Sequence, residues 1–218
     1  MSLSLLFRDE LNGFYRSKVM LVLWVGLPAL SVVLYLLSPN TGGIPVALFA
    51  ALLVGSIGGV LSAAMLTVSI INERERHVYD LFLIRPVKRR NLLLAKFFAV
   101  YGCVLVAGLL AVFVGVGVDR LVMGRTAPLD LGGLGSSLVL LVSMMAVSCS
   151  AGILIGVFSP SILVGVILTL YGGNQLAAIV ILPVLLLSAD PLFPLVPGFG
   201  ISALILLLAI IVFNRKQL

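Results

Sequence analysis

Apolar runs long enough to cross a bilayer alternate with short polar connections along almost the whole chain. Residues 19–37 carry no charged side chain. At a rise of 1.5 Å per residue they reach about 28 Å, the thickness of a hydrocarbon core, and Pro28 is placed to kink them. Residues 46–71, 97–118, 134–158, about 161–182 and 199–213 repeat the pattern. It predicts an all-α, polytopic membrane protein with six transmembrane helices forming a single transmembrane domain over 1–218. Ahead of the first span, residues 1–18 set Leu3, Phe7, Leu11 and Phe14 on one helical face and Arg8, Asp9, Asn12 and Arg16 on others. That is the pattern of an N-terminal interfacial helix lying in the headgroup layer. The fifth span has two candidate starts, one at the Phe158-Ser159-Pro160 turn and one at 171–175. Pro183, Pro191, Pro194 and Pro197 lie too close together for a straight helix and predict an extracytoplasmic proline-rich hairpin over 183–198.

The one long polar interruption runs from Asn72 to Lys96 and holds Arg74, Arg76, Arg85, Lys88, Arg89, Arg90 and Lys96, half of the 14 Lys and Arg. Asn72 followed three residues later by Glu75 resembles a capping box, which predicts a new helix over 72–84 that Pro86 stops. Val78, Leu81 and Phe82 share one face of that helix and Glu73, Arg74, Arg76 and Asp80 lie elsewhere, so it is amphipathic. A basic turn over 87–90 then leads into the next apolar run.

Composition sharpens this picture. Of 218 residues, 61% are hydrophobic and 10% charged, and the mean hydropathy is +1.28, outside the range of soluble domains. The net charge of +6 would be a reason to consider nucleic acid, but a basic excess spread over loops between apolar spans is what a membrane surface selects, and no nucleic-acid partner is expected. With the 72–96 segment on the same side as both termini, that side collects twelve of the 14 Lys and Arg, leaving Arg120 and Arg125 opposite. The positive-inside rule makes the protein N-in and C-in, with the 72–90 loop cytoplasmic. Charged residues precede the first apolar run and no small-residue cleavage site ends it, so the first span is expected to be retained.

The spans hold no Asp, Glu, Lys, Arg or His between 19 and 71, between 99 and 118, or between 131 and 189. This argues against proton relays and intramembrane catalysis. The single histidine, His77, lies in the polar segment, so no membrane-embedded Ser-His pair can form. Cys103 and Cys149 lack metal-ligand spacing, and no metal site is expected. No lysine follows a glycine, so the phosphate-cradling P-loop is absent. Gly55, Gly59, Ala63 and Thr67 recur every fourth residue, the small-xxx-small stripe that lets helices approach closely. Ser56, Ser62, Thr67, Asn174 and Gln175 are uncharged polar groups within or beside apolar runs. They either bond between helices or line a translocation path.

The run NERERHVYDLFLIRPVKRRNLLLAK, and downstream GNQLAAIVILPVLLLSA followed by LFPLVP, resemble the cytoplasmic loop and a later segment of ABC exporter permeases of the second type. The resemblance covers about a fifth of the chain. It implies a membrane-spanning permease subunit of the prokaryotic inner membrane, working as a dimer with a second copy. ATP and Mg would be bound by a separate ABC ATPase subunit and no cofactor by this chain, which would not itself be an enzyme. The amphipathic helix would be a cytoplasmic coupling helix, with Glu73, Arg74, Glu75, Arg76, Tyr79 and Asp80 touching the motor. Lys88, Arg89 and Arg90 would bind lipid phosphate. The charge-free spans favour a hydrophobic or amphipathic cargo. Two alternatives stay open: a haem or cytochrome c maturation exporter subunit, and a membrane anchor or assembly factor that transports nothing.

Overall fold

The computed structural model describes residues 3–37, 46–76, 89–123, 131–173, 175–176, 178–179 and 195–215, and among these every element is a helix. In chain order they are α1 (Leu3–Tyr15), α2 (Lys18–Leu37), α3 (Val46–Glu75), α4 (Arg89–Met123), α5 (Leu131–Phe158), α6 (Ile162–Leu168), which continues into a π-helical turn (Thr169–Gly173), and α7 (Leu195–Arg215). Helices α3, α4, α5 and α7 are each long and apolar enough to cross a membrane. Helices α1 and α2 are bent by 69° at the break between them, and counted together they make a fifth candidate span. The described residues thus have the build of a multi-pass membrane protein with four or five spans. The apolar stretch Ile162–Gly173 is shorter, and most of the remainder of the expected fifth span and hairpin, residues 180–194 with Asn174 and Ala177, lies outside the described residues.

Helix α5 is the centre of the bundle. It packs most extensively on α3 and next on α7, while α4 bridges α1, α2 and α3. Small residues make the first contact close. Going up α3, Gly55 faces Met144, Gly59 faces Ser148, Ala63 faces Gly152, and Thr67 and Ile70 face Gly156. From Gly59 onward, opposite Ser148, Gly152 and Gly156, both helices present a small residue every fourth position along one seam. A Cβ on Gly152 would lie 2.5 Å from the Ala63 carbonyl oxygen and 2.6 Å from its Cα, so the backbones touch where no side chain fits. The same logic seats α7, where a Cβ on Gly198 would lie 2.6 Å from Ser143 Cβ and Ser202 donates to the Ala146 carbonyl at 3.1 Å.

Several boundaries differ from the hydropathy pattern. Helix α3 passes through Asn72 to end at Glu75, so Asn72 caps nothing. Its amide lies inside a helix whose preceding turn already supplies carbonyl partners, and its side-chain oxygen accepts from Arg76 Nε at 3.1 Å instead. The rest of the expected coupling helix, 77–84, lies outside the described residues. Helix α4 opens at Arg89, so the basic turn is partly helical. Of the two candidate turns, a helix starts at the earlier one: Ser161 is extended and its hydroxyl accepts from the Val164 amide, whereas 171–173 is helical. Helix α7 starts at Leu195, four residues ahead of the expected span, with Pro197 in its first turn where a missing N–H costs nothing.

Candidate functional site

At 1.5 Å per residue the 30 residues of α3 and the 35 of α4 reach about 45 and 52 Å, well beyond a hydrocarbon core of about 30 Å. The C-terminal turns of α3 and the N-terminal turns of α4 lie side by side at one polar end. There the segment 77–88 leaves α3 and returns to α4.

A buried lysine organises this end. Lys96 is only 1% exposed, and its ammonium lies 2.8 Å from Glu10 on α1 and 2.5 Å from Glu73 on α3. Ser69 Oγ accepts from it at 3.2 Å and donates in turn to Glu73 at 3.2 Å. The Phe14 ring of α1 stands 5.8 Å away. A buried ammonium must be paired, and here two carboxylates and a hydroxyl from two other helices take its three protons. Burial holds the Glu10 carboxyl above its ordinary value of 4.5, partly offset by the charge and hydrogen bond of Lys96. Around the cluster Leu6, Leu92 and Ala95 pack together with Phe7 at their side, and Phe14, Leu93 and Phe97 join the main core. The apolar face of α1 expected to meet lipid is thus in good part applied to α4.

Arg74 turns the other way. Its guanidinium donates to the carbonyls of Ser159 and, at 3.2 Å, of Pro160, satisfying the chain just past the C-terminus of α5, where carbonyls lose their helical partners and a cation is favoured. Of the residues expected to touch a motor, Glu73 and Arg74 are therefore engaged within the chain, while Glu75 and Arg76 are exposed. Tyr79 and Asp80 lie outside the described residues, as does Lys88. Arg89 and Arg90 form the first turn of α4, with Arg90 exposed.

The polar residues considered for a path divide in the same manner. Ser62 and Thr67 are fully buried. The Ser62 hydroxyl donates to the Gly59 carbonyl at 2.7 Å and lies 3.3 Å from Cys149 Sγ. Thr67 donates to the Gly152 carbonyl at 2.8 Å, and its oxygen lies 2.9 Å from that of Thr169, which bonds the Gly165 carbonyl at 2.8 Å. Each hydroxyl has one proton, so the Thr pair makes two of these three bonds at a time. These contacts join α3 to α5 and to the π-helical turn that follows α6, and in this arrangement Ser62 and Thr67 are helix-to-helix bonds. Ser56 bonds its own helix at Leu53. Gln175 is exposed, and Asn174 lies outside the described residues. Gly55, Gly59 and Ala63 are the packing stripe described above. Among the described residues no group of three or more His, Cys, Asp or Glu could hold a metal.

The pattern of the sequence gave no notice of Glu10. Lys96 did carry a signal, being a lone lysine flanked by Leu-Leu-Leu-Ala and Phe-Phe-Ala-Val, a setting that demands an acidic partner from elsewhere. Compared with protein-family models and with curated proteins, the chain matches none.

Proposed function

We propose that the protein is the membrane-spanning subunit of an ATP-driven exporter of the second ABC type, with six spans and both termini in the cytoplasm. It would form its path as a dimer of two copies and be moved by a separate ATPase at the 77–88 segment. The observation that carries this reading is the closed base of that segment. The residues flanking it, Glu73 and Lys96, are bonded to each other, and Lys96 also holds α1 through Glu10, so a force on the segment reaches α1, α3 and α4 together. Arg74 extends the connection to the end of α5. The charge-free spans and the missing P-loop agree with a passive gate driven from outside, and the 72–96 resemblance names the kind of driver. Cargo would be hydrophobic or amphipathic.

The docking face is better assigned to Glu75 and Arg76 than to Glu73 and Arg74, because the first pair is exposed and tied to no other helix. The test is co-purification in mild detergent with the candidate ATPase, followed by the charge reversal Glu75→Lys with Arg76→Glu. The expected result is a bound ATPase whose cargo-stimulated turnover falls about tenfold while the permease stays folded, the loss of about 1.4 kcal/mol of docking free energy. An assembly with no ATPase, or with turnover untouched by the reversal, overturns the reading in favour of a membrane anchor.

A further inference from the structure

Where α1 meets α2 at 69°, the elbow encloses a concavity of about 300 Å³ lined by Tyr15, Arg16, Met20, Leu21 and Trp24. Its volume is at the lower end of ligand pockets, enough for a headgroup and the upper part of a chain. Three features set what it can hold. First, Arg16 is exposed and meets no acidic group among the described residues, so the planar fork that suits phosphate is free. Second, Tyr15 and Trp24 meet edge to face, with ring centroids 5.4 Å apart, and such rings settle at the headgroup level of a bilayer. Third, the other walls are apolar: Leu21 is 59% exposed and Met20 is buried beneath. A cation at the rim of an apolar, aromatic-walled notch is complementary to a lipid with a phosphate above and a hydrocarbon chain below.

We propose that this elbow binds an anionic phospholipid, its phosphate on Arg16 and its upper acyl chain between Leu21, Met20 and the Trp24 ring. Lys18, also exposed at the start of α2, adds a like charge that repels a choline headgroup and favours one with net negative charge. This site is separate from the Lys96 cluster and does not rest on the transport reading. Occupancy ties α1 to α2 at the bend, where the two helices otherwise make few contacts.

Trp24 is the only tryptophan in the chain, which makes the test direct. The purified protein is placed in phosphatidylcholine nanodiscs containing an equal minor fraction of either dibrominated phosphatidylglycerol or dibrominated phosphatidylcholine, and quenching of Trp24 emission is measured. Quenching is expected to give about thirtyfold preference for the glycerol lipid, the ratio that about 1 kcal/mol for each of Arg16 and Lys18 at a lipid surface yields. Arg16→Gln should lower that preference about fivefold, and Arg8→Gln, which deletes an exposed cation of α1 outside the elbow, should leave it. Inorganic phosphate should not displace the lipid. Equal quenching by both lipids, equal loss in the two variants, or displacement by phosphate alone overturns the proposal, the last in favour of a soluble anion.

Discussion

Replacing Lys96 by methionine is expected to release α1 from the bundle. The substitution keeps an unbranched apolar stem of similar length but leaves Glu10 and Glu73 facing one another with no cation between them. Breaking a buried ion pair by removing one partner costs about 3–5 kcal/mol. The carboxylates here keep 21% and 24% of their surface, so water softens the penalty and the lower end, about 3 kcal/mol, is the appropriate figure. The cost falls on whichever element can leave most readily, and α1 is that element, since its main attachment is to α4. Amide hydrogen exchange over Leu3–Tyr15 should accelerate on the order of a hundredfold, the factor that about 3 kcal/mol represents, with α5 unchanged. Neutralising all three groups, as Glu10→Gln, Glu73→Gln and Lys96→Met together, should restore exchange to within about tenfold of the parent, because no unpaired charge then stays buried. If α1 exchanges at the parent rate in the single variant, or the triple variant is as loose as the single one, the cluster does not hold α1 and the reasoning fails.

Glu10→Gln alone should be well tolerated, since the cost of burying this carboxylate outweighs what Lys96 returns. Because burial raises the Glu10 value above 4.5, the folded chain keeps a proton that the unfolded chain releases just above that pH. Stability from this group is complete below pH 4.5 and is lost as pH rises through the raised value, a slope that melting scans should lose in Glu10→Gln. Gly152→Ala should lower the melting temperature in detergent by an amount worth about 1–3 kcal/mol, because its Cβ would meet Ala63 backbone, whereas Gly102→Ala, with nothing within 4 Å, should cost nothing. Arg74→Gln should loosen the turn after α5, seen as faster exchange of the amides from Ser161 to Gly165, by about 1.5–3 kcal/mol less whatever water returns to the carbonyls.

The four long apolar helices α3, α4, α5 and α7 were legible because each is set by local composition, and the Gly55-Gly59-Ala63 stripe because its period is the helix's own. Helix ends were less so. Hydropathy falls after Ile71, but a helix continues for as long as each carbonyl finds its amide, so α3 carries Asn72–Glu75, and α4 takes in Arg89 and Arg90 of the basic turn. Nor does a stripe name its partner: α5 is one of several runs rich in small residues, and only the match of Ser148, Gly152 and Gly156 to Gly59, Ala63 and Thr67 in space selects it. The ionic cluster was furthest from view, since it joins positions 10, 73 and 96 from three helices. Glu73 and Arg74 read as surface charges for the same reason: their partners, Lys96 and the end of α5, are tertiary.

The placement of the cluster also bears on how such a bundle could move. A buried ammonium with two carboxylates is costly at mid-membrane, and residues 19–71, 99–118 and 131–189 carry no charge. The Lys96 cluster stands instead at the polar ends of α3 and α4, where the residues to either side of 77–88 meet. Lower down, α3 and α5 touch backbone to backbone through Ala63 and Gly152, an interface too close to slide without separating. A rigid seam on one side of α3 and a three-helix ionic joint at its end leave α1, α3 and α4 to move as one piece at the polar end. The elbow between α1 and α2, with few contacts of its own, is then the place where bending is cheapest, and a lipid seated there would act on the same hinge.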